Sequence, residues 1–207
     1  MIMKKKKARS SNDREREKIV LSAAKLIVKK GFLKTSVRDI AEYCGISMGK
    51  LYYYIKSKND ILSLFQEYST TTTDFSTRQS LKKLKKKGPI DALRDTIRDT
   101  IRYIDENQDI QVFWFQEAKN LNRRNLRRLL NTNSKATLVF QKIIEKGNEQ
   151  GVFEVREPAL VAQNIQMICE MWATRRWYLQ KRYNLDQYIE MQTDAILRIV
   201  SPKGDLS

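Results

Sequence analysis

Between Thr35 and Lys58 the chain places Met48, Lys50 and Tyr53 at the spacing of one outward helix face. Two serines, Ser36 and Ser47, stand before them, and a second cation, Lys58, follows. Ammonium, hydroxyl and phenol donors grouped this way suit a nucleic acid, whose phosphates accept hydrogen bonds and whose base edges carry the sequence. Two arginine groups carry chemistry of the same sign. Arg123, Arg124 and Arg127, with Arg128, open a long apolar-patterned segment, and Arg175 and Arg176 precede Trp177. Guanidinium forks beside apolar side chains suit an anionic, phosphate-bearing ligand. The plainer alternative is exposed or interface arginine beside a core tryptophan. The chain has no histidine, and its two cysteines, Cys44 and Cys169, lie far apart. That removes histidine-based acid–base and nucleophile pairs, a disulfide framework and the common metal spacings. An enzyme is not expected, nor is a cofactor or metal.

These donors need two short helices and a tight turn to hold them. Ser36 lies three residues before Asp39, a capping-box spacing that opens a first helix. Val37, Ile40 and Ala41 share its inner face. Gly45 supplies a residue able to take positive φ, Ile46 packs back, and Ser47 caps the second helix. Leu51 and Ile55 read as core. A helix–turn–helix of this size presents its second helix to the DNA major groove.

The run Gly31…Thr35-Ser36-Val-Arg38-Asp-Ile-Ala…Gly45-Ile-Ser47-x-Gly49-x-Leu51-Tyr52-x-Tyr54…Ser57-Lys58 resembles the N-terminal DNA-binding domain of TetR-family one-component regulators. The resemblance implies contacts position by position. Ser36 meets phosphate and Arg38 a guanine edge at the start of the first motif helix. Met48, Gly49 and Lys50, behind Ser47, meet base edges, with Gly49 permitting close backbone approach. Tyr52 and Tyr54 bond phosphates, with a part in the core as the alternative for one of the two; Tyr53 touches thymine methyls, and Lys58 holds a phosphate. Tyr43, Cys44, Lys50 and Ile55 depart from the commonest family pattern, so the operator sequence does not carry over. Cys44 reads as a packed small hydrophobe.

Charge agrees with this placement. Of the net +16, residues 1–58 hold 16 Lys/Arg against 5 Asp/Glu, whereas the remainder holds 24 against 19. Residues 1–11 form a basic arm, either lying along DNA backbone or merely solubilising. A first helix over 12–30 has Asn12 and Glu15 as its reciprocal cap and Ile19, Ala23, Leu26 and Ile27 as its inward stripe. Phe32 and Leu33 read as core staples.

The rest is an all-α protein of about nine helices. The helix–turn–helix domain spans 12–58, a larger helical ligand-binding and dimerisation domain spans 59–200, and 201–207 is a tail. Ser57 and Asp60 open a connecting helix through Ile61, Leu64, Phe65 and Tyr68. The run Ser69–Thr73 is poor helix sequence, because β-branched residues lose rotamer freedom there, although tertiary packing can still hold it helical. Lys82–Lys87 up to Gly88-Pro89 reads as a solvated loop and linker. Further helices are expected over 89–107, 122–150, 158–183 and 185–200. The segment Val112-Phe113-Trp114-Phe115 implies burial all round or a cavity wall. No run approaches the apolar length that spans a bilayer, and no signal peptide pattern opens the chain, so a cytoplasmic protein is expected.

These readings converge on a homodimeric, ligand-responsive regulator, a repressor of genes behind a palindromic double-stranded DNA operator, paired through its last two long helices. The segment Met171-Trp172-Ala-Thr-Arg175-Arg176-Trp177-Tyr-Leu…Tyr183…Tyr188 also resembles the branch that senses acyl-CoA thioesters. That resemblance implies such an effector held by Arg123, Arg124, Arg127, Arg175 and Arg176 beside Trp114, Phe115, Trp172 and Trp177. A cationic effector is disfavoured by the few carboxylates on the apolar faces. The alternatives are a regulator of efflux or stress genes with another apolar ligand, and a non-specific basic nucleic-acid-binding protein.

Overall fold

A computed structural model describes residues 11–202; the basic arm lies outside them, apart from Ser11, and so does most of the C-terminal tail. The described residues form ten α-helices and no strand. In chain order they are α1 (Ser11–Lys30), α2 (Val37–Cys44), α3 (Met48–Tyr54), α4 (Lys58–Lys87), α5 (Pro89–Glu106), α6 (Gln108–Glu117), α7 (Arg123–Glu149), α8 (Pro158–Thr174), α9 (Arg176–Leu179) and α10 (Leu185–Val200). A 3₁₀ turn, Ala118–Asn120, follows α6.

The motif elements form for the reasons their residues imply. The amide of Asp39 donates to Ser36 Oγ at 3.1 Å and the amide of Ser36 donates to Asp39 Oδ2 at 2.6 Å, closing the capping box of α2. Gly45 ends α2 at φ 65°, and its N–H reaches back to the carbonyls of Ala41 and Glu42. A residue with Cβ would be strained there. Ser47 Oγ accepts the Lys50 amide and starts α3.

Two apolar clusters hold the molecule. The first joins α1 to α4 through Ile19, Ala23, Ile27, Ile40, Leu51 and Phe65, and it extends to Ile110, Phe113 and Trp114 of α6 and Leu129 of α7. The second packs α5, α7, α8 and α10 through Leu93, Ile97, Ile143, Ile165, Trp172 and Tyr188. The reading head therefore shares its core with α6, an element of the larger helical part.

Several expectations are corrected. Asn12 and Glu15 bond side chains of α3 rather than closing a reciprocal cap on α1. Leu33 is exposed, while Phe32 is buried. The Ser/Thr run, by contrast, is held helical within α4, as its sequence left open. Packing on α7 overrides propensity, with Gln66 Nε2 donating to Thr132 Oγ1 at 3.0 Å and Thr72 Oγ1 donating back to the Tyr68 carbonyl at 2.8 Å. Lys82–Lys87 is the last turns of the same helix, not a loop. Lys83 pairs with Asp99 at 2.5 Å and Lys87 with Asp95 at 2.9 Å, and the cations face the helix's negative pole. Gly88, at φ 81°, then breaks the chain before Pro89 starts α5. The helix expected over 158–183 is broken at Arg175. Gln180 Nε2 donates to the freed Trp172 carbonyl at 3.4 Å, and Arg176 turns towards Asp109 at 3.1 Å.

Candidate nucleic-acid interface and interior cavity

α2 and α3 carry the donors outward. Ser36, Arg38, Ser47, Gly49, Lys50, Tyr52 and Tyr53 are exposed, and Tyr53 is 74% accessible although it is a large aromatic. Tyr53 gains nothing for the fold by that exposure, whereas Leu51 and Ile55 beside it are fully buried. Gly49 has open space where a Cβ would stand. Packing within the chain therefore does not require glycine there.

Several of the candidates, two of the exposed ones included, are engaged within the protein. Met48 packs partly against the head core. Tyr54 donates its hydroxyl to Asn12 Oδ1 at 2.7 Å. Lys58 Nζ donates to the Leu33 carbonyl at 3.2 Å and lies 4.5 Å from the Phe32 ring centroid. Arg38 pairs with Glu42 at 3.1 Å. Lys50 forms an ion pair with Glu15 of α1, a partner the sequence pattern did not single out. Hydrogen bonding from Lys50 holds the Glu15 carboxyl below its ordinary range, and Glu15 raises Lys50 in return. Lys30, at 2.8 Å from Asp39, together with Ser36, holds the Asp39 carboxyl far below the usual range.

The ligand candidates do not come together. Arg123, Arg124 and Arg127 are exposed at the start of α7, and Arg175 and Trp177 are exposed at the α8–α9 break. Arg176 lines a surface cleft with Lys25, where Asp105, Glu106 and Asp109 answer their charge. Phe115 is 70% exposed, so the aromatic segment of α6 is buried on one side only. Trp172 is core: it donates Nε1 to Asp105 at 2.7 Å and packs on Tyr188.

Of these candidates, Trp114 alone borders a second cavity, of about 80 Å³ and partly open to the surface. One wall is the Ser/Thr face of α4, with Ser69, Thr72, Thr73, Ser76, Thr77 and Ser80. Thr96, Thr100 and Tyr103 of α5 form a second wall, and Thr132, Asn133 and Phe140 of α7 a third. Gln166 and Glu170 of α8 close it. Among the described residues, no lysine or arginine lines it. Burial pushes the Glu170 carboxyl up, partly offset by Gln166 Nε2 donating at 2.8 Å, and burial raises the Tyr103 phenol to about 12. The poor helix propensity of residues 69–73 was the available signal for this wall. A run that costs helix stability in the middle of a 30-residue helix invites a reason.

Trp114 also belongs to the head core. Its ring meets Phe113 and Phe65 edge-on at 4.9 and 6.4 Å, and Nε1 donates to Ser69 Oγ at 3.2 Å. Cavity wall and head core thus share two side chains, Trp114 and Leu129.

Comparison with known proteins gives two family matches. Residues 19–64 match the model described as bacterial regulatory proteins, tetR family, and residues 86–200 match the tetracyclin repressor-like C-terminal domain. The HTH-type transcriptional regulator HbdR of Aromatoleum sp. (strain CIB) is 22% identical over 190 residues, covering 92% of this chain and 81% of that protein. The solved TetR family regulator PfmR of Thermus thermophilus is 27% identical, with a TM-score of 0.75 over 87% of this chain and 97% of its own. AibR, solved in complex with isovaleryl coenzyme A and operator DNA, is 19% identical, with a TM-score of 0.70 over 91% and 98% of the two chains. At that identity it shares the fold. The families and relatives matched are transcriptional regulators, not enzymes.

Proposed function

The chain belongs to the TetR family of transcriptional regulators, and from that footing we propose a homodimeric repressor that leaves its operator when a small molecule fills the cavity between α4, α5, α7 and α8. Members of the family bind operator DNA and are dimers. Among the described residues, no helix is long and apolar enough to cross a membrane. The proposed site of action is the cytoplasm.

The observation that carries the reading is the double membership of Trp114. A ligand that displaces its indole from Ser69 also disturbs the Phe65–Phe113 packing beneath the reading head. Linkage requires the ligand to favour the conformation with weaker DNA affinity; a coupling of roughly 1–3 kcal/mol is typical. The domain division stays at residues 12–58 for reading and 59–200 for sensing and pairing. Ser36, Arg38, Lys50, Tyr52, Tyr53 and Lys58 are the proposed DNA contacts, the last after release from Leu33. Two heads on successive major grooves lie ~34–36 Å apart or somewhat more. Pairing through α8 and α10 is supported by exposed Leu160 and Met167 on the first and Met191 and Ile199 on the second.

A phosphate-bearing thioester, suggested by the C-terminal resemblance and by AibR's complex, lacks cations in this cavity to receive it. Selection of binding sites from random duplexes, with light scattering for mass, tests the main reading. The expected result is a dimer that holds one palindrome ~10³-fold or more over random DNA at physiological salt. Uniform binding over sequence would reduce the protein to a basic coating function.

A further inference from the structure

We propose that the cavity takes a compact organic cation with N–H donors, a primary ammonium or comparable charged nitrogen, whose charged end is received by Glu170 and Gln166 of α8. This deepens, and rests on, the reading of the cavity as the effector site. Three acceptors belong to residues that line the space. Gln166 is only 8% exposed and its amide nitrogen serves Glu170, so its Oε1 has no donor among the described residues. Thr96 of α5, only 3% exposed, has an Oγ1 with no partner among them either. The Glu170 carboxylate lies one turn beyond Gln166. Buried acceptors of this kind are normally met by a donor.

The lining also sets the sign of the ligand. An anion would meet a carboxylate and an orphaned carbonyl oxygen with no lysine or arginine among the lining residues in compensation. Trp114, Tyr103 and Phe140 supply ring surface, which attracts a cation and covers an apolar body. The volume of about 80 Å³ holds several water-sized groups, each needing roughly 10–15 Å³. A nucleotide-bearing thioester does not fit that space. The hydroxyls of the α4 wall orient a donor-bearing ligand without adding charge.

The experiment is a thermal-shift and calorimetric series on the full-length dimer. The probes are propylamine and butylamine, their isosteric alcohols and carboxylates, and isovaleryl coenzyme A. Amines are expected to raise the melting temperature most, the alcohols less, and the carboxylates and the thioester not at all. Glu170→Gln, which keeps shape, is expected to weaken amine binding about tenfold or more. Thr96→Val should shift it in the same direction, and each variant's own melt shows that it is folded. The proposal is overturned if carboxylates or the thioester match the amines, if no amine stabilises the protein, or if Glu170→Gln binds amines like the parent. Operator affinity, read in parallel by fluorescence anisotropy, separates the two layers. Amine binding by a protein that ignores every palindrome supports the site and overturns the regulator reading instead.

Discussion

Glu15 of α1 holds the ammonium of Lys50, the one full charge on the exposed face of α3. Both groups are accessible, so in the proposed complex DNA competes for this lysine directly. On that proposal a phosphate or base edge must displace the carboxylate, and Glu15 would filter weak sites. Replacing Glu15 with Gln frees Lys50 at almost constant shape. The expected outcome is tighter binding to random DNA and a log K against log salt slope steeper by about one. Anisotropy titrations from low to moderate salt measure it. An unchanged slope would mean that Lys50 never reaches the nucleic acid.

Gly49 gives a test that separates folding from reading. Open space surrounds its missing Cβ, and its backbone is ordinary helix. Gly49→Ala should therefore raise helix stability by about 0.5–1 kcal/mol through lost backbone entropy in the unfolded chain. Operator affinity should fall, because the new methyl stands between backbone and DNA. Melting curves and anisotropy on one preparation read both effects. A variant that binds its operator like the parent would remove close backbone approach from the mechanism.

The head was legible because its determinants are local. Ser36 and Asp39 lie three residues apart, Gly45 is needed by one dihedral, and the contacts of Ser47 span a single turn. Partners distant in sequence were not legible. Nothing in the order of residues places Glu15 against Lys50 or Asn12 against Tyr54, which depend on how α1 crosses α3. The sensing site was misread for a related reason. Arginines announce themselves in a sequence, yet Arg123, Arg124 and Arg127 lie on the surface and Arg176 is answered by Asp109. The hydroxyl wall was visible only as a propensity defect in α4.

Glu170 predicts how stability depends on pH. Its folded pKa lies above the unfolded value, near 4.3 for a free glutamate. Between those two values the native state binds more protons than the unfolded chain, so stability falls as pH rises through the window. The contribution is fully present below the unfolded pKa and is lost as pH passes the folded one. Glu170→Gln removes this dependence. Urea unfolding from pH 4 to pH 8 should show parent and variant alike at the acid end, with the variant increasingly favoured as pH rises. Parallel curves across the range would show that Glu170 ionises in the native protein as freely as in water.

Gly147 is fixed by a steric demand that no ligand or DNA shares. It lies in α7 two residues before the helix ends, and the Phe153 ring covers it. A Cβ at this position would stand 1.9 Å from Phe153 Cδ2, deep inside van der Waals contact. The ring has little room to retreat, because Phe153 is buried and the Phe153 amide is bonded to the Gly147 carbonyl at 3.2 Å. Glu154 next to it donates to the Val200 carbonyl at 2.9 Å, which ties the turn to the end of α10. Gly147→Ala should therefore cost about 1–3 kcal/mol by overpacking, against the usual gain of alanine in a helix. Pairing it with Phe153→Leu should recover part of the loss, a coupling that a double-mutant cycle in urea measures. Additive costs in that cycle would show that the clash is relieved by movement elsewhere and that Phe153 does not select glycine here.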